Sequence, residues 1–284
     1  MNYRHIYHAG NFADVFKHIV LARIIAYLKR KEAAFRVIDT HAGIGLYDFD
    51  SEEARKTGEW RGGVSKLFDG APAGTTARLL EDYLDAVRAL NPESALRRYP
   101  GSPWLARHLL RRQDRLTAIE LHPKDANRLK ELFAGDHQVR IIELDGWLAL
   151  GAHLPPKERR GLVLVDPPFE EEGEFDRMLD GLKRAHRRWP AGIYAFWYPV
   201  KDGVMVEHFR RALADTGIPK ILDVSLSIRR PSAEPRLDGC GMAIVNPPFV
   251  LSEELKEILP LLARLLGEDD GAAWSLDLLS SDAA

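Results

Sequence analysis

A single cysteine, Cys240, stands among 284 residues, so the chain can close no disulfide on itself and can build no cysteine zinc cluster. It sits in "DGCGM", without the marks of an activated thiol, and reads as a small packed residue. No apolar run reaches the roughly eighteen residues needed to span a bilayer, so no membrane partner is expected. The N-terminus "MNYRHIYHAGNF" lacks an apolar signal core and a small-residue cleavage site, which makes the cytoplasm the expected location. His5-x-x-His8 is too sparse for zinc without a third ligand, and no metal is expected. No Ser/His/Asp triad is supported, because Ser102, between Gly101 and Pro103, reads as a helix start and not as a nucleophile elbow.

Net charge is also nearly absent, at −2, but its distribution is uneven. Residues 1–36 hold seven Lys/Arg against two acids, and residues 251–284 hold two bases against eight acids. That asymmetry fits a polyanion approaching the N-terminal part, and it equally fits a solvated surface.

What is present is a large apolar fraction, 45%, enough for a sizeable core. Residues 11–31 read as an amphipathic helix, with Phe12, Val15, Phe16, Ile19, Val20, Tyr27 and Leu28 at three-four spacing. Asn11 suits its N-terminus and Lys29 to Lys31 its C-terminal dipole. Seven strands follow: "FRVIDT", "LTAIEL", "VRIIEL", "LVLVDP", "IYAFWY", "ILDVSLSI" and "MAIVNP". Helical segments separate most of them, so the expected class is α/β, with a mostly parallel seven-stranded sheet covered on both faces. An irregular connection joins the last two strands, which are expected to pair antiparallel. Residues 46–100 interrupt the alternation. They contain the helical stretch "TTARLLEDYLDAVRAL" and no convincing strand. They are expected to form an inserted helical subdomain within a main domain made of 1–45 and 101–284.

The first four strands end in acids: Asp39, Glu120, Asp145 and Asp166. Ligands of doubly wound sheets bind at the carboxyl ends of strands. Four acids are costly to desolvate together unless a cationic ligand with amine and hydroxyl donors meets them. "DTHAGIG" supplies Gly43 and Gly45 for a tight turn, but Asp48 stands where a dinucleotide fingerprint needs a third glycine, which disfavours nicotinamide. Glu120 is placed for a ribose diol, and Asp145 with Gly146 for an adenine amine.

Two stretches look alike, "VLVDPPFE" and "AIVNPPFV". In the first, Pro167 and Pro168 lack N–H groups and stiffen the segment, leaving the Asp166 carboxylate and the Pro167 carbonyl as acceptors. Phe169 is expected to offer a stacking face. Two acceptors pulling on the hydrogens of an exocyclic amine favour a pyramidal nitrogen, whose lone pair then points at an activated methyl carbon. Asn246 is read as structural.

"HAGNFADVFKH", "DTHAGIG", "YPGSP", "ELHP", "DG", "DPPF" and "WYPV", in this order, resemble the RlmJ family from about Tyr3 to the C-terminal region. The resemblance implies a Rossmann-like class I methyltransferase with an inserted helical subdomain. It implies S-adenosyl-L-methionine as methyl donor and an adenine N6 of 23S rRNA, flipped or unpaired, as acceptor. His18, His41, Ser102, Glu120, Asp145, Gly146 and Asp166 match the family's cofactor-binding pattern, and Asp166 its catalytic acid. Phe169 replaces a commoner tyrosine. The resemblance also turns Tyr3, His5 and Lys17 toward the RNA, with Pro167 and Phe169 beside the base. A monomer is the expected unit. DNA adenine, protein glutamine, or a non-catalytic RNA-binding role are the alternatives.

Overall fold

The structure, a computed structural model, describes residues 5–93, 95–232 and 236–280. In chain order, α1 (Phe12–Lys29) leads into β1 (Arg36–Asp39). Next come β2 (Leu46–Asp48), α2 (Glu52–Thr57), α3 (Val64–Asp69), α4 (Gly74–Leu90) and β3 (Arg98–Pro100). The alternation resumes with α5 (Ser102–Leu109), β4 (Arg115–Glu120), α6 (Pro123–Leu132), β5 (Val139–Glu143), α7 (Gly146–Ala152), β6 (Gly161–Val165) and α8 (Glu174–Arg188). It closes with β7 (Ile193–Val200), α9 (Gly203–Ala214), β8 (Ile221–Ser227), β9 (Gly239–Val245), α10 (Leu251–Leu266) and β10 (Ala273–Ser280).

Eight strands make one sheet in the order β10-β8-β9-β7-β6-β1-β4-β5. The five from β7 to β5 run parallel, and β9, β8 and β10 add antiparallel pairs. From β1 the chain winds outward through β4 and β5, then returns to place β6 on the other flank of β1. That reversal creates a switch point beside β1, where crossover loops part and a crevice opens. The helices form two layers. One apolar cluster packs α1, α4, α5 and α10 on one face, and another packs α7, α8 and α9 on the other.

Seven of these strands follow from the sequence; the eighth, β10, corrects the count. It is an edge strand, paired only to β8, with Trp274 and Leu278 facing solvent. Burial from one side leaves weak patterning to read. Within 46–100, β2 and β3 pair antiparallel over three residues each, which corrects the strand-free reading. Three-residue strands carry no usable periodicity. The α4 face Leu80, Tyr83, Leu84 and Val87 enters the same core as α1.

The amphipathic reading of α1 is also corrected. Every residue from Phe12 to Ile25 is buried, the polar ones included. Asn11 caps the helix, accepting from the N–H groups of Ala13 and Asp14. The polar face is not solvated because residues 46–100 and α10 cover it. Arg23 pairs with Glu254 at 2.9 Å, Arg30 with Glu254 at 3.2 Å and Lys29 with Asp82 at 3.5 Å. Arg36 of β1 pairs with Glu158 at 2.9 Å. The N-terminal excess of positive charge is therefore largely answered inside the protein, in part by the acidic C-terminal helix.

Candidate active site

The carboxyl ends of β1, β4, β5 and β6 border a cavity of about 870 Å³. Among the sequence-derived residues, His5, Lys17, His18, His41, Ser102, Glu120, Asp145, Gly146, Asp166 and Pro167 all reach its wall. They come from different elements, so the crossover topology, and not sequence proximity, brings them together.

One residue cannot be placed, and two have surroundings that the sequence did not show. Tyr3 lies outside the described residues. Phe169 is absent from the cavity wall. Its backbone takes φ +51°, and its ring meets Phe175 at 5.1 Å and Trp197 at 6.1 Å, edge-on in both contacts. It therefore braces the Pro-Pro turn from behind. Lys17 is buried, and its ammonium lies on the cavity wall between two carboxylates. Its Nζ lies 2.8 Å from Asp14 Oδ1 and 2.5 Å from Asp166 Oδ2.

That pairing heads a chain of polar contacts. His5 Nε2 lies 2.9 Å from Asp14 Oδ2, and the Gly10 N–H donates to the same oxygen. Burial opposes charge on Asp14, but His5 and Lys17 outweigh it and hold the carboxyl well below its ordinary range. Burial likewise opposes the Lys17 charge, yet Asp14 and Asp166 hold its pKa well above the usual value. Lys17 is thus a cation clamped between two anions, and it fixes one oxygen of Asp166. Asp14 and Lys17 stand three apart on one helix, and that spacing was the signal available for the pair.

His18 and His41 stay neutral at ordinary pH. Burial pushes His18 down to about 3 and His41 to about 4. The Thr40 hydroxyl donates to the Leu164 carbonyl, so it can only accept from His41 Nδ1, at 2.9 Å. This assigns the proton to Nδ1 and leaves His41 Nε2 an acceptor. His18 Nδ1 contacts the Tyr99 hydroxyl at 3.0 Å, while its Nε2 is buried with no partner among the described residues. Asp39 is alike. Burial raises its pKa to about 6, the His41 N–H reaches Oδ1 at 3.4 Å, and Oδ2 has no partner among the described residues.

Glu120 accepts the Gly43 N–H on one oxygen and the His122 N–H on the other, both at 2.8 Å. A carboxylate has about four lone-pair sites, so both oxygens can still accept a hydroxyl. Burial raises the Glu120 pKa despite these bonds. Asp145 caps α7 by accepting the Trp147 N–H at 2.7 Å. Gly146 is required by space: a Cβ there would lie 2.3 Å from the Thr40 carbonyl and 2.8 Å from the His41 ring. Gly43, at φ +61°, turns the chain so that its N–H meets Glu120.

One contributor escaped sequence reading. Glu59, between α2 and α3, receives His8 Nδ1 at 3.0 Å and Asn11 Nδ2 at 3.0 Å. It ties the N-terminal arm to the start of α1. The partners are about fifty residues apart with no motif linking them, so no local signal exists.

A family model described as "Ribosomal RNA large subunit methyltransferase D, RlmJ" matches residues 32–279. The chain is 40% identical over 286 residues to Ribosomal RNA large subunit methyltransferase J of Haemophilus influenzae, covering 99% of this chain and 100% of that protein. It is 41% identical over 264 residues to the protein of the same name in Escherichia coli, covering 92% of each. The crystal structure of protein LPL1258 from Legionella pneumophila superposes with a TM-score of 0.87 at 33% identity, covering 95% of this chain and 98% of that one.

Proposed function

The chain belongs to the RlmJ family of ribosomal RNA large-subunit methyltransferases, and from that premise we propose that it methylates N6 of one adenine of 23S rRNA, with S-adenosylmethionine as donor. The observation that carries this reading is Asp166, fixed through one oxygen by buried Lys17 at the switch point of the sheet, on the wall of the cavity. We read 46–100 as an inserted unit of the main domain, in which 1–45 and 101–284 join.

The residues present fit the donor. His18 Nε2 and Asp39 Oδ2 are buried polar atoms in want of a partner, and the Gly146 cradle is one that a Cβ would fill. Glu120 would hold the ribose hydroxyls and Asp145 with Gly146 the adenine edge. His18, His41, Ser102 and Asp166 would hold the remainder. Once bound, S-adenosylmethionine supplies an electrophilic methyl group on a cationic sulfur. Neutral histidines matter here, because imidazolium beside a cationic ligand would repel it.

The protein's own part is positioning. Lys17 occupies Asp166 Oδ2, so Oδ1 is the acceptor left for one amine hydrogen. The Pro167 carbonyl, on a turn with no N–H at either proline, accepts the other. The two together pyramidalise N6 and aim its lone pair. The methylated amine is acidic and sheds its proton readily, so an aspartate suffices and no stronger base is required.

The test is mass mapping of 23S rRNA from cells lacking the protein, with purified protein and labelled donor offered rRNA, DNA and protein in parallel. One methyl lost from one adenosine, and restored only in the rRNA arm, is the expected result. Label transfer to DNA or protein instead would refute it.

A further inference from the structure

The cavity does not end at the sheet. Its wall continues along α8, where Arg177, Asp180, Lys183, Arg184 and Arg187 face it. The opposite side of α8 carries Met178, Leu179, Leu182 and Ala185 into the core, so the cationic stripe is held in place by packing. The charge along the stripe changes sign. At the start of α8, Arg177 is neutralised by Glu171 at 2.5 Å and Glu174 at 3.7 Å. Further along, Lys183, Arg184 and Arg187 are exposed, and none pairs with a carboxylate among the described residues.

Their lack of pairing separates these cations from the other lysine and arginine of the cavity wall, Lys17 and Arg177, which carboxylates hold. Arg23, Lys29, Arg36, Arg107 and Arg210 all sit in ion pairs. Compensation of the helix dipole accounts for basic residues in a last turn. It does not account for Lys183, which stands above that turn, and Arg188 in the last turn donates to the Leu154 carbonyl. The acidic end of the wall suits a cationic donor, and the basic end suits an anion longer than the donor. Of the N-terminal cations, Lys17, Arg23 and Arg36 are engaged internally.

We propose that Lys183, Arg184 and Arg187 form a phosphate rail that seats the rRNA strand flanking the target base. The inference rests on the rRNA reading above and extends it to a named surface. Lys183 to Arg187 spans about 6 Å along the helix axis. The three charged heads therefore meet the backbone of one or two nucleotides. Such contacts fix register and carry no sequence information, leaving base choice to the Asp166 pocket.

The test uses full-length protein and 23S rRNA from cells lacking it. In the triple variant Lys183→Ala, Arg184→Ala, Arg187→Ala, RNA affinity at moderate salt is expected to fall 10- to 100-fold. The slope of log affinity against log salt should become shallower by about 2, from about 0.7 per phosphate contact on single strands. KM for rRNA should rise in step, kcat should stay within about threefold, and S-adenosylmethionine affinity by calorimetry should be unchanged. A swap variant, Lys183→Arg, Arg184→Lys, Arg187→Lys, should keep wild-type binding, and Arg211→Ala with Lys256→Ala, on α9 and α10 and outside the cavity wall, should have no effect. An unchanged salt slope in the triple variant, with wild type methylating the same RNA, overturns the rail. Equal loss in the swap variant overturns it too, as does loss of donor affinity, since either marks a structural role. The wild-type arm reads the underlying function separately: no methyl transfer to rRNA there means that the rRNA assignment fails, and the rail with it.

Discussion

Asp166-Pro167-Pro168-Phe169 and Asn246-Pro247-Pro248-Phe249 differ by one residue, yet they finish strands that run in opposite directions. β6 is parallel to β7, so Asp166 emerges at the carboxyl edge beside the switch point, facing Lys17. β9 is antiparallel to β7, so Asn246 emerges at the other edge, level with the turn that enters β7. There its side-chain amide donates to the carbonyls of Pro190 at 2.7 Å and Gly192 at 2.8 Å. The left-handed residue differs as well: Phe169 in the first motif and Asn246 in the second, both at φ +51°. The Phe169 ring is tucked behind its turn, whereas Phe249 is 79% exposed, touching Tyr27 edge-on. A four-residue motif thus sets local stiffness, and strand direction decides whether the stiffness serves a site or a corner.

The largest expected effect breaks the comparison outright if it fails. Asp166→Ala should reduce kcat for rRNA methylation by about 10³-fold or more, because an acceptor aimed at the reacting amine is lost. Circular dichroism should show the fold intact. Asn246→Ala should stay within a few-fold of wild type, and the reverse pattern would assign chemistry to the wrong motif.

Removing what holds Asp166 should cost less in rate and more in stability. Lys17→Met leaves Asp14 buried at 2% exposure with one counter-charge fewer. We expect about 10²-fold lower activity and a stability loss of about 3–5 kcal/mol by denaturant titration, the usual cost of breaking a buried pair. Wild-type stability in that variant would show that the clamp is not part of the fold.

Acid should weaken the Asp166 side of the sheet. His18 and His41, lowered to about 3 and about 4, take up no proton when folded as pH falls below their ordinary 6.5, whereas the unfolded chain does. Their contribution to stability is present above pH 6.5 and is lost as pH drops toward 4. Asp39, raised to about 6, works the other way between pH 6 and its ordinary 3.8, offsetting part of the loss. A net decline of about 1–3 kcal/mol from pH 7 to pH 5 is expected. His41→Gln should flatten the curve, and an equally steep curve in that variant would place the titration elsewhere.

The smallest effect sharpens the other side. Asn246→Ala should cost about 1–2 kcal/mol, from two lost hydrogen bonds and a left-handed backbone imposed on alanine. Asn246→Gly loses the same bonds without the backbone penalty, so it should cost less, by differential thermal melts.

Much of the fold was legible because parallel strands buried on both faces write unbroken Val/Ile runs, as in "VLVD" and "RVID". The strand-end acids were legible for a related reason: each closes such a run. The omissions share a cause. The internal pairing of Lys17, Arg23, Lys29 and Arg30 was not legible, because sequence shows a helix its own faces, and not the α10 and residues 46–100 that cover them. The left-handed backbone of Phe169 was not legible because a motif does not carry its φ. Glu59, β10 and the short β2–β3 pair left no periodic trace.

The sequence alone determined the order of strands and helices, the acids at their ends and the stiffness of both Pro-Pro turns, since these depend on neighbours along the chain. Tertiary structure alone decided which turn faces the cavity, that Lys17 grips Asp166 across 149 residues, and that the cavity-wall cations without an ion pair among the described residues lie on α8. Those outcomes depend on strand direction and on competition between distant charges for the same partners, and no local stretch of chain encodes either.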